Sequence, residues 1–317
     1  MKLRAFSLIE LSIVILIIGI LVAGVTQGSR LVRQSKIKTA QTITQSSDIN
    51  SIKDMVLWLD ATDQDSLKTS TITNVETANY GNIEDGDYIS QWKDRNFQLS
   101  STIRAEAFGD WNRPIYTANA INGLPSIKFD GNDDELLLIN ALDATPVASS
   151  SEKFHSVLDL PNTVFVVGEF IDNDYRAVQY FIARQKSANN GGYMVRTNTN
   201  FNLEIRTPSD IDADTEISAD GDPFILVTRA PQKGSSLYPQ ISKNGADFTN
   251  ANGLIPTTYD ASALPDRASI GDYPGGSGAT LNGYISEIII YNRRLKDSEV
   301  EAVENYLSKK YSITVSN

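Results

Sequence analysis

The sequence predicts an α+β chain: a long N-terminal transmembrane and stem helix, then an all-β sandwich, then a short C-terminal helix. Three observations carry this. An apolar run fills the N-terminal end, short apolar segments alternate with turn residues from Met55 onward, and near the C-terminus only Asp297–Lys309 has helical periodicity.

The run from Phe6 to Val25 is 20 residues, about 30 Å as a helix and so the thickness of a bilayer's hydrocarbon core. Lys2, Arg4 and the small Ala5 precede it. A secretory signal places its small-residue cleavage site after the run, where Val22-Ala23-Gly24 offers one, and a single-pass anchor needs no site at all. Glu10 is the odd residue, because a carboxylate in a membrane helix costs about 2.5–3.5 kcal/mol and usually has a partner. Cleavage after Ala5 would free an α-amine on Phe6, about one helical turn from Glu10, and would leave the helix on the mature chain.

On these residues the segment resembles the class III leader of type IV pilins and pseudopilins. Arg4-Ala5 matches the end of the leader, Phe6 the residue exposed by prepilin peptidase and then N-methylated, and Glu10 the acid five residues into the mature chain. Leu8-Ile9-Glu10-Leu11 and Ile17-Ile18-Gly19-Ile20-Leu21 follow the same pattern. The resemblance covers about 25 residues. It implies a leader at 1–5, a transmembrane helix at 6–25, processing at Ala5 and Phe6, and filament assembly through Phe6 and Glu10. It departs from the family in having Ala5 where Gly is usual, Gln27 where major pilins often kink at Pro, and no cysteine.

Residues 26–54 continue as stem helix or linker. No proline interrupts them, and Leu31, Val32, Ile37, Ala40 and Ile43 lie among Arg30, Arg33, Lys36 and Lys38. Frequent Thr and Ser lower the helical propensity, so helix is expected to about Thr44. The basic residues would suit a cytoplasmic flank on charge statistics alone; on the far side of the membrane they would meet anionic headgroups or acidic neighbours.

The rest, residues 55–317, reads as one large domain. Candidate strands are Met55–Leu59, Ser126–Phe129, Glu135–Ile139, Thr163–Phe170, Tyr180–Ala183, Gly192–Thr197, Asn202–Arg206, Pro223–Arg229, Gln240–Lys243, Arg267–Ile270 and Tyr284–Tyr291. Turn signals at Asp130-Gly131, Asn190-Gly191-Gly192, Asn244-Gly245 and Pro274-Gly275-Gly276 separate them, the spacing of a sandwich. Asp297 or Ser298 can cap the last helix, and Val300, Val303 and Leu307 give it one apolar face.

A second resemblance covers nearly all of this domain. Val56-Leu57-Trp58-Leu59-Asp60-Ala61, Gln91-Trp92-Lys93-Asp94, Arg113-Pro114-Ile115-Tyr116, Asn122-Gly123-Leu124-Pro125 and Leu281-Asn282-Gly283-Tyr284-Ile285 are similar to concanavalin A-like, laminin G-type jelly rolls of bacterial surface proteins. That implies a jelly-roll sandwich which binds glycans or proteins, acts as a spacer or, in distant branches, cleaves polysaccharides.

Chemistry is sparse. The chain of 317 residues has a net charge of −11, no cysteine and one histidine, His155. An acidic surface excludes nucleic acid as a partner, and one histidine leaves no His-based metal cluster. The Glu-x-Asp-x-x-Glu arrangement of paired carboxylates is not found, and Glu287 stands beside Ile288-Ile289-Ile290 as a rim or structural acid, so no enzyme is expected. No cofactor is expected unless calcium: Asp130, Asn132, Asp133 and Asp134 put hard oxygen donors around a turn, with Asp172, Asp174, Asp210, Asp212 and Asp214 in further acidic loops. Aromatic candidates for stacking on a sugar are Trp92, Trp111, Tyr116, Tyr193, Tyr259 and Tyr273, whereas Trp58 reads as core.

The functional expectation is a minor pilin, anchored in the bacterial inner membrane and assembled into a type IV pilus-type filament, with a head for adhesion to glycan or protein. Its partners would be prepilin peptidase, other pilin or pseudopilin subunits and inner-membrane lipid. A type II secretion pseudopilin and an uncleaved membrane-anchored lectin are the alternatives.

Overall fold

One uninterrupted helix, α1 (Leu8–Gln45), carries both the apolar run and the stem. In this computed structural model of the protein the described residues are 8–69, 81, 83–96, 103–140, 156–171, 178–185, 192–198, 202–207, 211–218, 221–257, 267–273 and 280–316. Ala5, Phe6, His155, Asp172, Asp174, Asn190-Gly191, Asp210, the Asp214 side chain, Tyr259 and Pro274-Gly275-Gly276 lie outside them. The hydroxyl-rich stem stays helical because its hydroxyls join the helix's own ladder. Thr26, Ser29, Thr39, Thr42 and Thr44 each donate to the carbonyl four residues back, at 2.9–3.0 Å. The helix stops where Ser47 accepts from the Ile49 N–H and caps a 3-10 turn at Asp48–Ser51.

Among the described residues seventeen strands follow in chain order. They are β1 (Met55–Asp60), β2 (Leu67–Lys68), β3 (Gln91–Lys93), β4 (Ile103–Ala107), β5 (Ile115–Thr117), β6 (Ser126–Asp130), β7 (Leu136–Asn140), β8 (Asn162–Phe170) and β9 (Tyr180–Gln185). Then come β10 (Met194–Thr197), β11 (Asn202–Thr207), β12 (Ile211–Ser218), β13 (Phe224–Ala230), β14 (Gln240–Lys243), β15 (Thr249–Asn250), β16 (Arg267–Ile270) and β17 (Asn282–Tyr291). The second helix, α2 (Asp297–Tyr311), closes the chain.

Two antiparallel sheets form the sandwich. One has the order β15-β14-β13-β8-β17-β6-β5, the other β12-β11-β10-β9-β16-β7-β4-β3-β2. In the first, β17 is shared along one edge: Asn282–Ile285 pair with β6, and Glu287–Tyr291 pair with β1. A bulge between Ile285 and Glu287 marks the change.

The first sheet is buried on both faces, which is why its strands read as continuous apolar runs rather than alternating ones. Val164, Val166, Leu226, Ile288 and Ile290 face the main core between the sheets. Phe165, Val167, Ile225, Val227, Ile289 and Tyr291 face a second core built with Ala40, Val300, Val303, Tyr306, Leu307 and Tyr311 from the two helices. The C-terminal half of α1 is therefore part of the folded domain, whereas residues 8–32 are exposed along their whole length.

A buried polar network fastens that second core. Asp60 on β1 and Glu287 on β17 are directly opposed, an arrangement that repels. Lys310 of α2 lies between them, its Nζ 2.8 Å from Asp60 Oδ2 and 2.7 Å from Glu287 Oε2. Trp58 Nε1 and the Tyr306 hydroxyl donate to Glu287 Oε1 at 2.7 and 2.8 Å, and the Tyr311 hydroxyl donates to Oε2 at 2.9 Å. Arg95 reaches Asp60 Oδ2 at 2.5 Å. From α1, Thr44 joins through its hydroxyl, 3.0 Å from that of Tyr306. Burial pushes the Asp60 carboxyl up, but Lys310 and Arg95 outweigh it and hold it below the usual aspartate range. Glu287 is thus a fully buried structural acid and not a rim residue.

All eleven expected strands form. Six more were not legible: β2, β3, β5 and β15 are two or three residues long, β4 reads Ile-Arg-Ala-Glu-Ala, and β12 begins Ile-Asp-Ala-Asp. The four short ones offer too few residues for a pattern, while the Arg, Ala, Glu and Asp of β4 and β12 are types depleted in strands, a bias that pairing with neighbours overrides. Asn244 and Gly245 adopt the positive φ of a hairpin turn, 53° and 73°. The cap of α2 falls one residue earlier than expected: Lys296 is the cap, and Glu299 reaches back to its N–H at 2.9 Å.

Candidate ligand-binding surface

Two turns at one end of the sandwich meet and bring exposed aromatic and acidic groups together. The first precedes β5, where a 3-10 turn at Asp110–Asn112 presents Trp111. A Cβ on Gly109 would stand 2.5 Å from Trp111 Nε1, so the indole lies directly over the glycine backbone and is fixed on one side by it. Trp111 is 62% exposed; Phe108, three residues before it, and Tyr88, which bridges to Ile115, are 39% and 51% exposed. Arg113 lies over the Tyr88 ring, 5.3 Å from its centroid, and its Nε donates to the Asp110 carbonyl at 3.1 Å.

The second turn is the β6–β7 connection. Asn112 ties it to the first: its Nδ2 donates to the Asp133 carbonyl at 2.5 Å, and its own carbonyl accepts from the Glu135 N–H at 3.0 Å. The carboxylates of Asp130, Asp133 and Asp134 lie within 4.8 Å of one another. Burial, with Asp130 and Asp133 beside it, pushes the Asp134 carboxyl up to about 7. Asn132 is exposed on this turn, its N–H and Nδ2 donating to Asp130 at 2.8 and 3.0 Å. Three carboxylates of the hard-oxygen kind fit calcium in type, but they supply only three of the roughly six to eight oxygens calcium takes. Asn132 engages Asp130 through its Nδ2, a donor atom that a cation does not take.

Tyr273 belongs to a third turn that packs against the second. Gly271, at φ +91°, is so close that a Cβ would stand 2.9 Å from the Asp134 carbonyl. Asp272 follows, its carboxyl raised to about 6 by burial. The ring of Tyr273 lies 5.4 Å from that of Tyr180 on β9. Arg196 on β10 is 5.7 Å from the same Tyr180 ring, and its Nη2 is 3.1 Å from Glu204 Oε1 on β11. These last three positions were not singled out in the sequence, where nothing distinguishes them from other strand residues.

Of the expected aromatic candidates, Trp111 and Tyr273 are thus reachable from one end. Trp92, Tyr116 and Tyr193 are corrected: all three are fully buried and offer no face to a ligand. Trp92 and Tyr193 project into the core from short strands or beside them, and burial raises the Tyr193 phenol above its ordinary range. Tyr116 holds Gln64, whose Nε2 donates to its hydroxyl at 3.0 Å.

Comparison with known proteins gives a fold likeness. No family model matches the chain, and no curated protein matches it. A Trypanosoma rangeli sialidase in complex with 2,3-difluorosialic acid, a covalent intermediate, aligns over 81% of this chain with 14% identity and a TM-score of 0.50. The same sialidase in complex with sialic acid aligns over 81% at 14% identity and a TM-score of 0.49. A Ruminococcus gnavus IT-sialidase CBM40 bound to α2,6 sialyllactose aligns over 45% of this chain and 82% of its own, with 12% identity and a TM-score of 0.37. The chain spans about a third of the sialidase's length, 33%.

The expectation of no enzyme is corrected by these findings. A solved structure with which the chain shares its fold is a sialidase, so this architecture does not argue against catalysis. At this identity the likeness shows the fold alone and assigns no reaction to the chain.

Proposed function

We propose that the chain is a membrane-anchored subunit of the type IV pilin class whose sandwich, of the concanavalin A-like, laminin G type, binds a neutral glycan. The observation that carries the glycan reading is Trp111, an indole seated on Gly109 with its other side open to solvent. An aromatic face stacks on a sugar ring, and the Asp133 and Asp110 carboxylates and nearby backbone supply hydroxyl partners. The likeness to a sialidase that binds a sialic acid derivative supports a carbohydrate ligand in general. The charge of this end favours a neutral one, because Asp130 and Asp133 would repel a sialic acid carboxylate, whereas Asp110 is paired with Arg113.

The anchor reading is supported by α1. Its apolar span is fully exposed, long enough to cross a bilayer, and continuous with a stem that is built into the second core. Processing after Ala5 would leave Phe6 as the new N-terminus, with Glu10 in the first turns of the helix as its counter-charge.

A glycan array probed with the full chain in detergent tests the ligand. Neutral glycans are expected to retain it, sialylated ones to retain it less, and Trp111→Ala to weaken retention by about tenfold with an unchanged melting temperature. Equal retention of the Trp111→Ala chain, or binding to protein ligands alone, would overturn the assignment.

A further inference from the structure

Where α1 leaves its apolar span it forms one wall of a cleft of about 740 Å³ against the loop that precedes β6. Val25, Gly28, Val32, Arg33 and Lys36 recur on this wall at i, i+3, i+7, i+8 and i+11, a single helix face, and Arg30 flanks them. The face is apolar toward the span and basic away from it. The opposite wall holds Asn119 and Gly123.

We propose that this cleft binds the phosphate of an anionic lipid headgroup, with the glycerol end of the lipid against Val25 and Val32. The site rests on the reading of α1 as a membrane anchor. Position is the first argument. Arg30 and Arg33 lie five and eight residues beyond Val25, about 7 and 12 Å along the helix. The headgroup layer extends about 5–8 Å beyond the hydrocarbon on each side. Side chains on a helix lean toward its N-terminus, so both guanidinium groups reach back into that layer.

Availability is the second. Among the described residues Arg30 and Arg33 form no ion pair and no hydrogen bond, although both also line an adjoining cleft that holds Glu84 and Asp85, and Lys36 has only a 3.4 Å contact with the Asn122 carbonyl. Two cations on this face and a third beside it, with no carboxylate in the lining of this cleft, are complementary to a phosphodiester. Shape is the third. Gly123, at φ +84°, leaves room for Lys36, since a Cβ there would stand 2.6 Å from Nζ. The turn that carries Gly123 is itself fixed, because Asn122 Nδ2 donates to the Tyr311 carbonyl at 2.8 Å. The Lys36 ammonium is thereby seated against this turn, in the lining of the cleft.

The test uses the full chain in phosphatidylcholine vesicles with phosphatidylglycerol as the minor component. Flotation of the vesicles reports anchoring; gentle extraction and native mass spectrometry then report retained lipid. One phosphatidylglycerol per chain is expected in preference to phosphatidylcholine. Arg33→Gln with Lys36→Gln should lower that retention about tenfold, and Arg30→Gln, on a fully exposed side chain, should lower it less. Lys38→Gln removes the same charge outside the cleft and should change nothing. Equal retention of the two lipids, or an equal loss in Lys38→Gln, would overturn the proposal. Displacement by inorganic phosphate would assign the cleft to a free anion and overturn the lipid. A chain that does not float overturns the anchor reading, and the lipid site with it.

Discussion

Replacing Lys310 with methionine is expected to destabilise the sandwich by about 3–5 kcal/mol, the usual result of leaving a buried charge without its partner. Here two carboxylates lose one ammonium. Asp60 and Glu287 are opposed across β1 and β17, and the Lys310 Nζ is within 2.8 Å of both. Arg95 still reaches Asp60, but it is partly exposed and touches only one of the two acids. The four donors that Glu287 accepts from include Trp58 on β1 and Tyr306 and Tyr311 on α2, so the loss propagates into the contact between helix and sheet. Thr44 brings α1 into the same network, and its bond to Tyr306 should loosen too. Denaturant titration of the full chain in detergent, followed by tryptophan fluorescence, measures the cost. Adding Asp60→Asn and Glu287→Gln to Lys310→Met should recover much of the loss, because the repulsion goes with the charges. A single mutant within about 1 kcal/mol of the parent, in the range of a surface ion pair, would refute the network's role.

Trp92→Ala is expected to cost a similar amount, about 3–5 kcal/mol, as a large-to-small change in a packed interior. Trp92 is fully buried in the main core from β3, a strand only three residues long, paired to Leu67 on one side and Ala105 on the other. With so few ladder bonds, the indole's packing is what holds β3 in place. Its Nε1 is buried and has no hydrogen-bond partner. Trp92→Phe therefore fills most of the space and removes an unsatisfied donor, whose burial costs about 1–3 kcal/mol. The phenylalanine variant should lie much closer to the parent than the alanine one. Equal melting temperatures for Trp92→Ala and the parent would contradict this placement of the side chain.

These two residues show what a single sequence discloses. The apolar run, the strands of the doubly buried sheet and the Asn244-Gly245 turn were legible because each is a local signal: length, composition, or a positive φ that few residues accept. The network was not. Its acids sit in apolar strands at opposite ends of the domain, 227 residues apart from Asp60 to Glu287, and only strand pairing opposes them. One hint was present: Val300, Val303 and Leu307 continue at the same spacing to Lys310, a cation on an apolar helix face.

The candidate site divides in the same way. Trp92 and Trp111 each follow a residue typical of loops or strand edges, and composition cannot separate them. Strand pairing turns Trp92 inward, while a 3-10 turn on Gly109 turns Trp111 outward. That Asn112 joins the Trp111 turn to the acidic turn is a long-range hydrogen bond with no counterpart in local sequence. The acidic turn itself was visible as Asp130-Gly131-Asn132-Asp133-Asp134, but only the structure shows that the Asn132 N–H and Nδ2 both donate to Asp130 and that the three carboxylates converge.

The intact mass of the chain extracted from bacterial membranes bears most directly on the proposed subunit. A chain that begins at Phe6, with a methyl group on its amine, is the expected result: the leader has gone, the helix remains, and a cation stands within reach of Glu10. A mass that retains Met1 would contradict processing of the pilin type, and a start beyond Ala23 would mean that the apolar span is not part of the mature protein at all.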